Sequence, residues 1–107
     1  MTTGPKPQAS IGRRQRDAVV AAVFQTYGEP VLHPMYGRLA SQVLARQVAA
    51  HLFDSLGANR SRIAEALGYA DHTPVCHLLA DASVRADPRF RAARAAADRF
   101  IWSGVKR

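Results

Sequence analysis

Between Gly57 and Gly68 the chain has room for one short helix and little else. Asn59 stands just after the first glycine, where a side-chain oxygen can cap a helix start. Ile63, Ala64, Ala66 and Leu67 then recur at helical spacing, and Gly68 is the residue type that stops a helix. Tyr69 and Ala70 lead into Asp71-His72-Thr73-Pro74 and a second apolar segment holding Val75, Leu78 and Leu79. Two helices joined by about four residues that include a glycine are the sequence sign of a helix-turn-helix. In such motifs the second helix presents its N-terminal residues to base edges in the major groove.

Pro74 bears on where that second helix starts. The residue before a proline is pushed away from the α region, whereas proline is well tolerated at the first helical position. Thr73 is therefore expected as the N-cap and Pro74 as the first helical residue, with Asp71 and His72 projecting ahead of the helix. Beyond Pro74 the helix is expected to run to about Val84.

The same period organises the rest of the chain. Ser10 can cap a helix beginning at Ile11, with Val19, Val20, Val23, Phe24 and Tyr27 on its inner face and Gly28 and Pro30 ending it. From Glu29 to Leu39 the text is loop-like, broken by Pro30, Pro34 and Gly37. A second strong helix is expected from about Ser41 to Leu56, with Val43, Leu44, Val48, Leu52 and Leu56 inward and Gly57 closing it. Asp87-Pro88 opens the last helix, where Phe90, Ala93, Ala97, Phe100 and Ile101 form the apolar stripe. No segment alternates with a strand period and no repeat occurs. Residues 1–9 read as a flexible tail and 10–107 as one domain. The expected fold class is all-α, a bundle of five to six helices containing a helix-turn-helix.

Charge narrows the function classes. The net charge is +7 and the pI is near 10.8, which points to an anionic partner, nucleic acid first and a membrane surface second. Cys76 is the only cysteine, so no internal disulfide can form and a reducing cytoplasm suits the chain. The start, MTTGPKPQ, has no apolar core of a signal, and no stretch nears the ~18 apolar residues of a spanning helix. A soluble, cytoplasmic, nucleoid-associated protein is expected, with no membrane contact, no small-molecule substrate and no cofactor. No Ser-His-Asp or paired-carboxylate arrangement emerges, so catalysis is not expected.

Two stretches carry a resemblance. ARQVAAHL (Ala45 to Leu52), followed by IAEALGYADHTPVCH (Ile63 to His77), resembles the C-terminal DNA-binding domain, domain IV, of the bacterial replication initiator DnaA. That family carries an Arg-Gln pair early in a long helix, then a short helix and a glycine-containing turn. An Asp-His-Thr-Thr-Val signature follows, with His shortly after. Order and spacing match, with about one residue missing between the long and short helices, and the likeness extends roughly from Ala18 to Ile101. It implies a Trp repressor-like helix-turn-helix fold and a DNA-binding role. By the same resemblance Asp71, His72 and Thr73 read bases in the major groove, and Arg38 reaches into the minor groove. Arg46 and Gln47 contact phosphates. Each role suits the chemistry, since a carboxylate accepts from a cytosine amino group and arginine favours a narrow minor groove.

The departures are specific. Pro74 replaces the second threonine of the signature and has neither a hydroxyl nor an N–H. The loop around Arg38, YGRLASQ, holds one basic residue where the family has several. Asp54 stands where the family often has a basic residue. Each change removes phosphate contact and lowers the salt sensitivity of binding. Arg60 and Arg62, beside the Asn59 cap, are expected to compensate, so Asn59, Arg60 and Arg62 join the candidate DNA-binding set. No phosphate-cradling GxxxxGK[ST] occurs, and ATP hydrolysis is not expected.

The expected function is sequence-specific binding of double-stranded DNA at DnaA-box-like sites, regulating replication initiation or transcription, with replication-initiation proteins as further partners. The alternative is a protein-interaction module that keeps the fold and modulates replication proteins with little specific DNA binding. Plainer readings stand beside the individual residues. Asp71-His72-Thr73 can serve as a helix cap alone. A zinc site from His72, Cys76 and His77 lacks a second ligand cluster. His33 and His51 read as surface or core residues. Arg85, Arg89, Arg91, Arg94 and Arg99 read as a solvated face paired with Asp87 and Asp98. Trp102 reads as core or as a partner-contact edge.

Overall fold

The computed structural model describes residues 12–105, the side chains of 103–105 excepted. The described part is all-helical: α1 (Arg13–Tyr27), α2 (Ala40–Ser55), α3 (Arg60–Leu67), α4 (Thr73–Ala80), α5 (Ser83–Ala86) and α6 (Pro88–Val105). No strand occurs among the described residues. The cap expected at Ser10, the helix start at Ile11 and the tail at 1–9 lie outside the described residues. The helix opens at Arg13 on an extended Gly12 and ends at Gly28, whose φ of 74° needs no Cβ to accommodate.

α2 matches its expected span to within a residue, and α3 begins where Asn59 caps it, the side-chain oxygen accepting from the Arg62 amide at 2.9 Å. The segment after Pro74 departs from expectation. It does not run to Val84 but stops at Ala80, and a separate single turn, α5, follows. Asp81 causes the break. Its backbone is extended (φ −89°, ψ 96°), and its carboxylate accepts from the Ser83 amide at 3.0 Å and the Ser83 hydroxyl at 2.6 Å. A short polar side chain bonding to backbone two residues on competes with helix continuation. Those bonds hold the Asp81 carboxyl below the usual carboxylate range. Asp87 repeats the device, accepting from the Arg89 amide at 2.8 Å just as Pro88 opens α6.

The core lies between α2 and the layers on either side of it. Val48, Ala49, Leu52 and Phe53 of α2 are buried with Val19, Ala22 and Val23 of α1, Ile63, Ala64 and Leu67 of α3, and Val75 of α4. α1 packs most extensively on α6, where Ala93, Ala96 and Ala97 face it through small side chains. The two run antiparallel, since Arg89 at the start of α6 lies over the Tyr27 ring at the end of α1, with its guanidinium carbon 4.4 Å from the ring centroid. The buried stripe of α1 is narrower than its apolar pattern. Phe24 is exposed and Val20 half-buried, while Ala18, Val19, Ala22 and Val23 are buried. Val43 is likewise exposed, and Trp102 lies outside the core at 63% exposure.

The arginine face of α5 and α6 is paired in part. Arg89 pairs with Asp87 at 2.7 Å and Arg94 with Asp98, as expected. Arg85 instead pairs with Asp54 of α2 at 2.8 Å, and Arg91 and Arg99 have no acidic partner among the described residues.

Candidate nucleic-acid interface

The turn between α3 and α4 starts from Gly68, in the left-handed region at φ 95°, with the Gly68 and Tyr69 amides both donating to the Ala64 carbonyl at 2.9 Å. Gly68 also has a packing reason to be glycine. A Cβ there would lie 2.4 Å from Cδ2 of His33, which belongs to the loop between α1 and α2. Asp71 then accepts from the Thr73 amide at 2.8 Å. The Cys76 amide donates to the His72 carbonyl at 3.1 Å, which closes the first helical turn. His72 is therefore the N-cap, Thr73 the first helical residue and Pro74 the second. This moves the start one residue earlier than the steric rule for proline indicates. The Asp71 carboxylate outweighs that bias by fixing the Thr73 amide. Pro74 forfeits nothing, because amides of the first helical turn have no partner within the helix.

Asp71, His72 and Thr73 are all exposed at the leading end of α4. Asp71 and His72 border a groove of about 390 Å³ whose other wall is α3, with Arg62, Glu65 and Tyr69 on its sides. Arg60 is exposed at the start of α3, and Arg62 is paired with Glu65 at 3.2 Å. Asp71 thus caps the helix and also stands on the surface, so the capping and base-reading roles fall on the same residue.

The far end of α4 is held from beneath by α2. Gln47 donates from Nε2 to the Leu78 carbonyl at 3.2 Å, and His51 Nε2 lies 3.1 Å from the Asp81 carbonyl. Carbonyls at a helix C-terminus have no helical partner, and these two side chains supply one. Arg85 donates from Nε to His51 Nδ1 at 2.9 Å and from its terminal nitrogen to Asp54. A guanidinium can only donate. Nδ1 of His51 therefore accepts, Nε2 carries the proton, and the ring is neutral.

Arg46 is not on the surface. Its residue is 5% exposed, with Nε donating to the Tyr69 hydroxyl at 3.1 Å and a terminal nitrogen donating to the Leu32 carbonyl at 3.4 Å. Gly37 closes over it, since a Cβ at that position would lie 2.7 Å from the guanidinium. Arg46 pairs with no carboxylate among the described residues. The sequence reading placed Arg46 and Gln47 at phosphates; in the fold Arg46 is buried and Gln47 half-buried. Tertiary packing turns Arg46 under the Leu32–Gly37 loop and Gln47 under α4, so both side chains hold the site rather than face outward.

That loop carries Arg38, exposed, and is fixed on two sides. The His33 carbonyl accepts from the Tyr36 and Gly37 amides at 2.9 and 3.2 Å, and His33 Nδ1 accepts from the Met35 amide at 3.1 Å. Through His33 on Gly68, and through Arg46 between Leu32 and Tyr69, the loop that carries Arg38 packs against the turn that leads to Asp71, His72 and Thr73. Compared with known protein families, curated proteins and solved structures, the chain matches none.

Among the described residues no three His, Cys, Asp or Glu side chains are grouped as a metal ion requires, and no helix is long and apolar enough to cross a membrane. Sequence reasoning missed the His51–Arg85–Asp54 link and the part Tyr69 plays. The first had a visible signal, because Gln47, His51 and Asp54 recur at i, i+4 and i+7 on one face of α2.

His51 gives the anchor a pH dependence. Burial first, and the Arg85 charge second, lower its pKa from the ordinary 6.5. Below that value the unfolded chain takes up a proton that the folded chain resists. The contribution of neutral His51 is therefore complete above about pH 6.5 and is lost as pH falls toward the depressed folded value. Thermal midpoints measured from pH 7.5 down to pH 5 should fall, and His51→Gln should flatten that slope. An unchanged slope in the variant assigns the effect to other groups. Asp81 and Asp87, held below their usual range, act only at lower pH.

Proposed function

We propose that this chain binds double-stranded DNA sequence-specifically at DnaA-box-like sites, without hydrolysing ATP, and so regulates replication initiation or transcription. The observation that carries the reading is the exposed Asp71-His72-Thr73 trio at the leading end of a two-turn helix, beside a fixed loop that presents Arg38. An α-helix end fits the major groove, and the positive end of its dipole favours a nearby phosphate. In this reading exposed Arg38 enters the adjacent minor groove, as the family resemblance implies, and exposed Arg60 contacts the backbone. Arg46 and Gln47 serve as positioning residues in this reading. Nucleoid association and contacts with replication-initiation proteins follow from it as further proposals.

Selection of bound duplexes from a random pool supplies the site, and two variants then separate the roles. His72→Ala should cost about 1–3 kcal/mol of discrimination between the selected site and a scrambled one. Arg60→Ala should weaken binding to both alike and lower the salt slope by about one. If wild-type protein binds all duplexes equally, or His72→Ala leaves discrimination unchanged, the base-reading assignment fails.

A further inference from the structure

A cavity of about 420 Å³ opens between α1, the loop that follows it, α2 and α3. That volume suits a small-molecule ligand. Its walls are of two kinds. Val20, Leu32, Phe53 and Leu67 make one part apolar, with Phe53 and Leu67 buried and Val20 and Leu32 half-buried. Arg16 of α1 and Arg62 of α3 line the other part from two separate helices.

The charges around the cavity do not cancel. Glu65 is the one carboxylate that lines it, and it pairs with Arg62 at 3.2 Å. Arg16 has no acidic partner among the described residues. Arg62 gives one guanidinium N–H to Glu65, and the group carries five. Two cations against one carboxylate leave an excess positive charge beside apolar walls. An inorganic anion would use the arginines and leave those walls wet. A neutral hydrocarbon would cover the walls and leave the arginines unmatched. A compact apolar body that bears one anionic group answers both, and the fork of a guanidinium suits a carboxylate.

We propose that this cavity binds a small organic anion, a carboxylate on a compact apolar body. The carboxylate lies against Arg16 and Arg62 and the body against Val20, Leu32 and Leu67. The cavity also has a route to the candidate DNA surface. Arg62 and Glu65 line both the cavity and the groove bordered by Asp71 and His72. A bound carboxylate competes with Glu65 for Arg62 and leaves a less compensated negative charge at that groove. Occupancy therefore weakens duplex binding, a consequence that rests on the DNA-binding reading, whereas binding of the anion itself does not.

The test uses the full chain and three probes: adamantane-1-carboxylate, its neutral analogue adamantane-1-carboxamide, and inorganic phosphate. In amide-resolved NMR titrations the carboxylate should shift His33, Leu67 and Gly68 saturably. The carboxamide should bind at least about tenfold more weakly at the same residues, because charge-assisted hydrogen bonds are the stronger ones. Phosphate should produce no saturable shift there. Arg16 is exposed on α1, so Arg16→Gln should fold as wild type does. It should weaken the carboxylate about tenfold and leave the carboxamide unchanged. Equal affinity for carboxylate and carboxamide, phosphate binding as tight as the carboxylate, or shifts that miss these residues overturn the site. With the selected duplex, saturating carboxylate should lower duplex affinity about fivefold or more, the usual scale of coupling between two sites. Unchanged duplex affinity overturns the coupling and keeps the site. Failure of wild type to bind any duplex overturns the DNA-binding reading, and the anion titrations still decide the site.

Discussion

Arg46→Met should leave the protein within about 1 kcal/mol of wild-type stability and lower its affinity for the selected duplex about tenfold or more. The two halves of that result have separate causes. Arg46 is 5% exposed as a residue and has no acidic partner among the described residues. Removing an unpaired buried charge relieves its desolvation, and methionine keeps most of the volume. Against this, the bonds to Tyr69 and Leu32 are lost, at about 1 kcal/mol each. The terms offset, so folding is nearly indifferent. Binding is not, because the same two bonds set the Arg38 loop against the Asp71-His72-Thr73 turn. Denaturant melts and binding titrations over a salt series check both parts. A positioning role predicts lost site discrimination at an unchanged salt slope. A slope lowered by about one with discrimination intact would instead make Arg46 a phosphate contact.

Gly68→Ala should be the more damaging change to folding. Among the described residues three glycines have positive φ: Gly28, Gly57 and Gly68. An alanine at Gly57 meets no atom within 4 Å, so it bears only the left-handed penalty of about 1–2 kcal/mol. At Gly68 the same penalty is joined by a collision with the His33 ring at 2.4 Å. That ring cannot simply rotate away, since its Nδ1 accepts from the Met35 amide. The loop must lift off the turn. Urea melts should therefore rank Gly68→Ala at least about 1 kcal/mol below Gly57→Ala, and His33→Ala should restore part of the difference in a double-mutant cycle. Equal costs at the two glycines, or no coupling to His33, would show that the loop does not depend on this contact.

The sequence made the helices legible where caps and stops are chemical, and less so where packing decides. Asn59, Gly57, Gly68 and Asp87-Pro88 marked boundaries that the structure keeps to within a residue or two. The break at Asp81 was overlooked, although its signal recurs in the chain. Asp71, Asp81 and Asp87 each accept an amide two residues on, and each stands just before a helix. Phe24 and Val43 fit a helical stripe on paper, but the buried face is as wide as the partner helix permits, which spacing alone does not reveal. The candidate site divides in the same way. Arg38 and the Asp71-His72-Thr73 trio are exposed. Arg46 is buried by the loop just before α2 and by Tyr69, and half-buried Gln47 turns under α4, contacts that the spacing along α2 alone does not hold.

The eight residues of α4 have a thermodynamic consequence. A peptide of that length does not stay helical in water. Gln47 and His51 below its last turn, and the Asp71 carboxylate at its first, keep it formed before any partner arrives. Its conformational entropy is surrendered during folding and not during complex formation. Association with an undistorted duplex should therefore lack the large negative heat-capacity change of coupled folding and binding. Any such change that calorimetry does record belongs to surface the loop buries, not to the ordering of α4.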